Sequence, residues 1–174
     1  MTMIDTLTKY EKWRKAVGIR SDKRMKGAEL ILRYFALRDN RVKYEKPLSS
    51  FLDQYSTSAK TFSQEQADTM EEQFKSVMDM VDKGLGKLAF RVYDDARKTL
   101  TPFNSALYDA EMVGFTETKN KKITSNNYRP IELQNHLVVL FKLEKFSNSI
   151  RQATSDEQSV KARIDMMIEH LDKF

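Results

Sequence analysis

The sequence predicts an all-α protein: a single compact domain of about six to eight helices, orthogonal or bundle-like. At most one short extended segment, near residues 89–93, interrupts them. Three observations lead there. Glycine and proline number only 5 and 3 in 174 residues, among many Lys, Glu, Leu, Met and Ala, which favour helices. Apolar residues recur at three- and four-residue intervals along most of the chain, the spacing that places side chains on one helical face. Capping residues stand ahead of several of these runs.

Taken in order, Ile4, Leu7, Tyr10 and Val17, with Trp13, keep helical spacing over residues 4–17, and Gly18 can end that helix in a left-handed conformation. A basic turn, Gly18 to Lys23, leads into the stretch Arg24-Met25-Lys26-Gly27-Ala28-Glu29-Leu30-Ile31-Leu32-Arg33-Tyr34-Phe35-Ala36-Leu37. Apolar residues cover more than half of its surface, so a helix over roughly 24–38 is expected at the centre of the core. Glu29 and Arg33 stand four positions apart and are expected to form a structural ion pair. Pro47 suits the first turn of a helix carrying Leu48, Phe51, Leu52 and Tyr55, and Ser56 to Lys60 reads as a polar connector. Ser63 and Gln66 form a capping box for a helix of about 20 residues with Met70, Phe74, Val77, Met78, Val81 and Leu85 on one stripe.

Gly84 and Gly86 weaken the end of that helix, and Ala89 to Tyr93 either continues it or runs extended. Thr101-Pro102 predicts a cap and first turn for a helix reaching about Val113. Residues 116–129 have no apolar period and many turn formers, which predicts a basic loop. It separates a helical core, 1–115, from C-terminal helices, 130–174, that pack on the same domain. Leu133 to Phe146 is apolar all round and is expected to be buried. Thr154 and Glu157 repeat the capping box, and Val160, Ile164, Met167, Ile168 and Leu171 form a last stripe. There is no internal repeat.

Composition narrows the function classes. The chain is 40% hydrophobic and 32% charged, as expected of a highly charged globular protein. No apolar run approaches the roughly 20 residues that span a bilayer, so no membrane association is expected. The start, Met1-Thr2-Met3-Ile4-Asp5, lacks a secretory pattern. The absence of cysteine excludes disulfides, thiol catalysis and thiolate metal sites and fits a cytoplasmic life. The net charge of +5 and pI near 9.3 leave two readings open: a mixed-charge surface whose 30 cations are offset by 25 anions, or a polyanion-binding face.

No catalytic constellation is present in the sequence. Gly84-Leu85-Gly86-Lys87 lacks the spacing of a phosphate loop. His136 falls in the apolar run and reads as a hydrogen-bonded core or boundary histidine. His170 falls near the end of the last helix, where a positive charge would meet the helix dipole favourably. Asp94 and Asp95 are adjacent, and adjacent helical residues point apart. No cofactor and no metal are expected. Two basic groups remain as nucleic-acid-binding candidates: Arg20, Lys23, Arg24 and Lys26, with Arg14 and Lys15 alongside, and Lys119, Lys121, Lys122 and Arg129 in the loop. Trp13, Tyr10 and Tyr128 are close enough in sequence to stack on bases, though Trp13 and Tyr10 also belong to the apolar stripe. Tyr128 is the freest of the three.

One resemblance runs through these segments. Trp13-Arg14 with Gly18, Asp22-Lys23-Arg24-Met25-Lys26, the stretch Glu29 to Leu37, Tyr44, and Pro47-Leu48-Ser49-Ser50-Phe51-Leu52-Asp53 follow one another in order. Phe74, Phe90-Arg91, Asn104 to Ala110, and the tail from Phe146 through Thr154 to Arg163-Ile164 continue the series. Together they resemble the helical second half of the ParB-like, GmrSD-type domain found at the N-terminus of many prokaryotic phage-defence and restriction proteins. The match is strongest over Arg24 to Leu52 and looser after Phe115. The Asp-Gly-Gln-Gln-Arg motif that the family associates with nucleotide hydrolysis or nuclease action is missing from this sequence, and so are the histidines of an HNH nuclease. The resemblance therefore implies the helical half alone: a piece of a longer protein, a split gene product or a truncated relative. It also implies a non-catalytic role, packing against a ParB-like partner domain or chain and helping to hold DNA. The other reading is an interaction or homo-oligomerisation module without nucleic-acid affinity, for which nine methionines would supply adaptable apolar contacts.

Overall fold

A computed structural model of the chain describes residues 2–19, 26–94 and 97–174, with only the backbone of Asp94. The candidate cations Arg20, Lys23 and Arg24, and Asp95, lie outside the described residues. The fold is all-α. Among the described residues there are ten α-helices: α1 (Met3–Leu7), α2 (Glu11–Val17), α3 (Lys26–Asn40), α4 (Leu48–Ala59), α5 (Gln64–Leu85), α6 (Ser105–Glu117), α7 (Lys121–Thr124), α8 (Pro130–Lys142), α9 (Glu144–Arg151) and α10 (Glu157–Asp172). The one extended element among the described residues is a two-residue ribbon in which β1 (Tyr93–Asp94) pairs antiparallel with β2 (Thr99–Leu100).

The helix count exceeds the expected six to eight because apolar runs are cut by single extended residues. Tyr10, with ψ 114°, separates α1 from α2, and Leu143, with ψ 122°, separates α8 from α9. Several punctuation signals act as anticipated. Gly18 ends α2 at φ 73°, a conformation that glycine adopts without steric penalty. Ser63 and Gln66 cap α5 reciprocally.

Other signals are displaced. Ser56 to Ala59 continue α4 instead of forming a connector. The helix predicted from Thr101-Pro102 starts at Ser105, because the Asn104 side chain accepts the Leu107 N–H and takes over the cap. Asp156, not Thr154, caps α10, and Glu157 accepts the Lys46 N–H instead of closing a box. The 116–129 segment is only partly a loop: α6 runs on to Glu117, and Asn120 caps the single turn of α7.

The core is organised around α6. Every residue from Ala106 to Phe115 is buried, and α3, α5, α9 and α10 all pack against it. Ala106, Ala110 and Gly114 keep its surface low, and a Cβ on Gly114 would fall 2.5 Å from Met167 Cγ of α10. The stretch expected at the centre, now α3, is one of the surrounding helices: Ile31 and Tyr34 to Leu37 are buried, whereas Glu29 is exposed. Tyr34, Phe35 and Phe74 form an aromatic cluster at the α3–α5 contact, with ring centroids 4.9 to 5.9 Å apart. Trp13 joins it edge-on to Phe74, fully buried, with its indole N–H donating to Tyr108.

Candidate functional site

Of the first basic group's candidates only Lys26 is among the described residues, and it lies apart from the second group. Lys26 is exposed where α3 begins. Arg41, just past the end of α3, donates to Glu117 at the end of α6. The α7 cations therefore follow on from the far end of α3, about 20 Å along its axis from Lys26. Around α7, Lys119, Lys121 and Lys122 are exposed. Lys122 Nζ donates to the Phe174 carbonyl at 3.4 Å and stands 5.5 Å from its ring centroid. Arg129 is paired with Glu132 one turn on, so its charge is offset.

The aromatic residues that could have stacked on bases are committed elsewhere. Trp13 is core, and Tyr10 donates to Asp79 at 2.9 Å. The Tyr128 ring sits between Lys83 Nζ, at 5.1 Å, and Phe174, at 5.7 Å, with its hydroxyl buried and without a hydrogen-bond partner. His136 is half-buried and bonded at Nε2 to the His170 carbonyl at 2.7 Å. Burial, with His136 and Lys173 nearby, pushes the His170 imidazole below its ordinary pKa, against the charged, dipole-compensating role expected of it. Among the described residues, no group of three or more His, Asp or Glu could hold a metal ion.

Arg33 does not pair with Glu29. Its guanidinium reaches across to α6, where Nε and Nη2 donate to the two carboxylate oxygens of Asp109 at 2.6 and 2.5 Å. The same carboxylate accepts from Arg163 Nη2 of α10 at 2.6 Å, and Arg163 Nη1 donates to the Ser149 and Thr154 carbonyls. Arg163 and Asp109 are wholly buried. One carboxylate thus holds two guanidinium groups and three helices together, an arrangement in which removing the carboxylate leaves two buried cations uncompensated. The sequence paired Arg33 with Glu29 instead, because a contact 76 positions away leaves no local spacing signal.

The feature best suited to binding lies on α8. The apolar run expected to be buried all round is not. Leu133, Leu137 and Leu140 pack inward, while Ile131, Val138, Val139 and Leu143 are 42 to 55% exposed. Beside them runs an open groove of about 450 Å³, formed between α8 and the segment from Leu85 to Tyr93. Ile131, Gln134, Val138 and Phe141 of α8 line one wall, and Leu85, Leu88 and Val92 contribute to the other. That volume falls in the range of sites that hold ligands or anchoring side chains.

Glu111 of α6 also lines the groove and is 2% exposed. It accepts the Phe90 N–H at 2.7 Å, and burial pushes its carboxyl pKa up to about 8. Phe90 is itself held at φ 62°, an outlying conformation for a bulky residue, and such strain persists only where the surroundings over-determine it. Arg91 follows, its Nη1 donating to the Ala16 and Ala89 carbonyls at 2.7 and 2.9 Å. These bonds orient the guanidinium without neutralising it. Lys142 and Arg151 complete the charged lining. Periodicity alone missed this groove, because an exposed apolar stripe and a buried one have the same spacing. Compared with known proteins, the chain matches no family model, no curated protein and no solved structure.

Proposed function

We propose that this chain is a non-catalytic helical module that docks onto another protein through the outer face of α8. The observation that carries the reading is the exposure of Ile131, Val138, Val139 and Leu143 beside an open apolar groove. Single exposed apolar residues need no explanation, but several large ones together mark an interaction surface. In the setting that the Arg24 to Leu52 stretch resembles, the partner is a ParB-like portion of a prokaryotic defence or restriction protein. That setting is cytoplasmic, and the module is one compact domain, a reading supported by the single buried cluster that draws on α1 to α10. No helix is long and apolar enough to cross a membrane among the described residues.

The test is association between this chain and a ParB-like domain that carries the Asp-Gly-Gln-Gln-Arg motif, followed by calorimetry. Wild type should bind, and Val138→Glu with Val139→Glu should abolish binding while leaving the fold intact by circular dichroism. A concentration-dependent dimer in light scattering, lost in the same variant, would instead make this face a homo-oligomer contact. A second reading is favoured by the exposed Lys119, Lys121 and Lys122 around α7: they contact DNA phosphates. Retention of duplex DNA at low ionic strength, falling steeply with salt and lost on reversing these three charges, is its signature.

A further inference from the structure

We propose that the occupant of the α8 groove is an acidic amphipathic helix of the partner protein. This rests on the docking reading above and adds the chemistry of what docks. The shape argument comes from α8 itself. Ile131, Gln134, Asn135, Val138, Phe141 and Lys142 all line the groove, spaced by three or four residues or side by side, so one whole helical face is presented along about 16 Å. A mainly apolar trough of that length accepts about three helical turns with anchors at i, i+4 and i+7.

The charge argument is independent of the shape. Arg91, Lys142 and Arg151 line the groove, and among the described residues Glu111 is the only acidic one that does. Glu111 lies beneath the surface and is engaged by the Phe90 N–H. Near neutral pH it holds its proton, so the described part of the lining presents three cations and almost no negative charge. Among the described residues, none of the ion pairs engages these three cations. A partner helix with leucines on one face and glutamates flanking them would meet both features, and a basic one would be repelled.

The experiment uses the full chain and two sets of helical peptides about twelve residues long, three turns. Each has leucine at i, i+4 and i+7. One set is flanked by glutamate and the other by lysine, and binding is read by fluorescence anisotropy at several salt concentrations. The glutamate set should bind at least tenfold more tightly than the lysine set, and its advantage should shrink as salt rises. Lys142→Glu with Arg151→Glu should reverse the preference, and Val138→Glu should abolish binding of both sets. Equal binding of the two sets, with loss in Val138→Glu, would overturn the charge preference while leaving docking intact. Failure of both sets, alongside a ParB-like partner that still binds through Val138, would show that the groove takes a different shape. If duplex DNA binds this face and is lost in the Lys142 and Arg151 variant, the proposal is wrong and the face is a nucleic-acid surface.

Discussion

Replacing Glu111 with glutamine should change how stability depends on pH more than it changes stability itself. In the fold the carboxyl keeps its proton up to about pH 8, whereas its ordinary value is 4.5. Raising the pH between those values therefore favours the unfolded chain, which releases a proton that the folded chain holds. The slope is about 1.4 kcal/mol per pH unit. Allowing for partial ionisation at the upper end, the loss attributable to this one group between pH 5.5 and 7.5 is roughly 2–3 kcal/mol. Glutamine keeps a carbonyl oxygen for the Phe90 N–H and cannot ionise. Urea unfolding of both proteins at half-unit pH steps isolates the effect, since every other titrating group, His136 and His170 included, is common to the two. The stability difference should grow in favour of Glu111→Gln by roughly 2–3 kcal/mol across that window. Parallel stability curves would show that Glu111 is ionised in the fold and would refute the reasoning.

Three further expectations concern the helix contacts. Asp109→Ala leaves two guanidinium groups without their carboxylate and should destabilise by about 3–5 kcal/mol in urea unfolding; Arg33→Ala, which leaves Asp109 paired with Arg163, should cost less; Glu29→Ala should stay within about 0.5 kcal/mol. Gly114→Ala should cost about 1–3 kcal/mol in the same assay because the new methyl meets Met167 near the root of its side chain. Gly84→Ala should be milder, since it meets the outer ends of the Leu133, Tyr128 and Phe115 side chains and recovers roughly 1 kcal/mol of helix propensity; the reverse ranking by thermal unfolding would contradict this packing. Tyr128→Phe removes a buried hydroxyl that has no partner and should leave stability unchanged or raised by up to about 1 kcal/mol, read from the unfolding midpoint.

Local chemistry made much of the helical framework legible. The α5 stripe from Met70 to Leu85 and its Ser63–Gln66 cap depend on contacts within a few residues. Where the reading failed, the deciding contact was distant. Asp109 and Glu111 look like surface residues in the sequence, and the central position of α6 follows only once α3, α10 and the Phe90 turn supply their partners. The groove on α8 was hidden for the converse reason. Nothing in the spacing of Leu133, Leu137 and Val138 says which neighbours arrive to cover them, and the structure covers the first two alone.

Tying helices from both ends of the chain to one carboxylate has a consequence for how the molecule comes apart. Because α3 and α10 share Asp109 as an anchor, loosening either one gives up a buried charged hydrogen bond to α6, so amide protection in α3, α6 and α10 should vanish in one concerted step. A protease nick among the exposed residues 125–127 should for the same reason leave two fragments that elute together until denaturant is added.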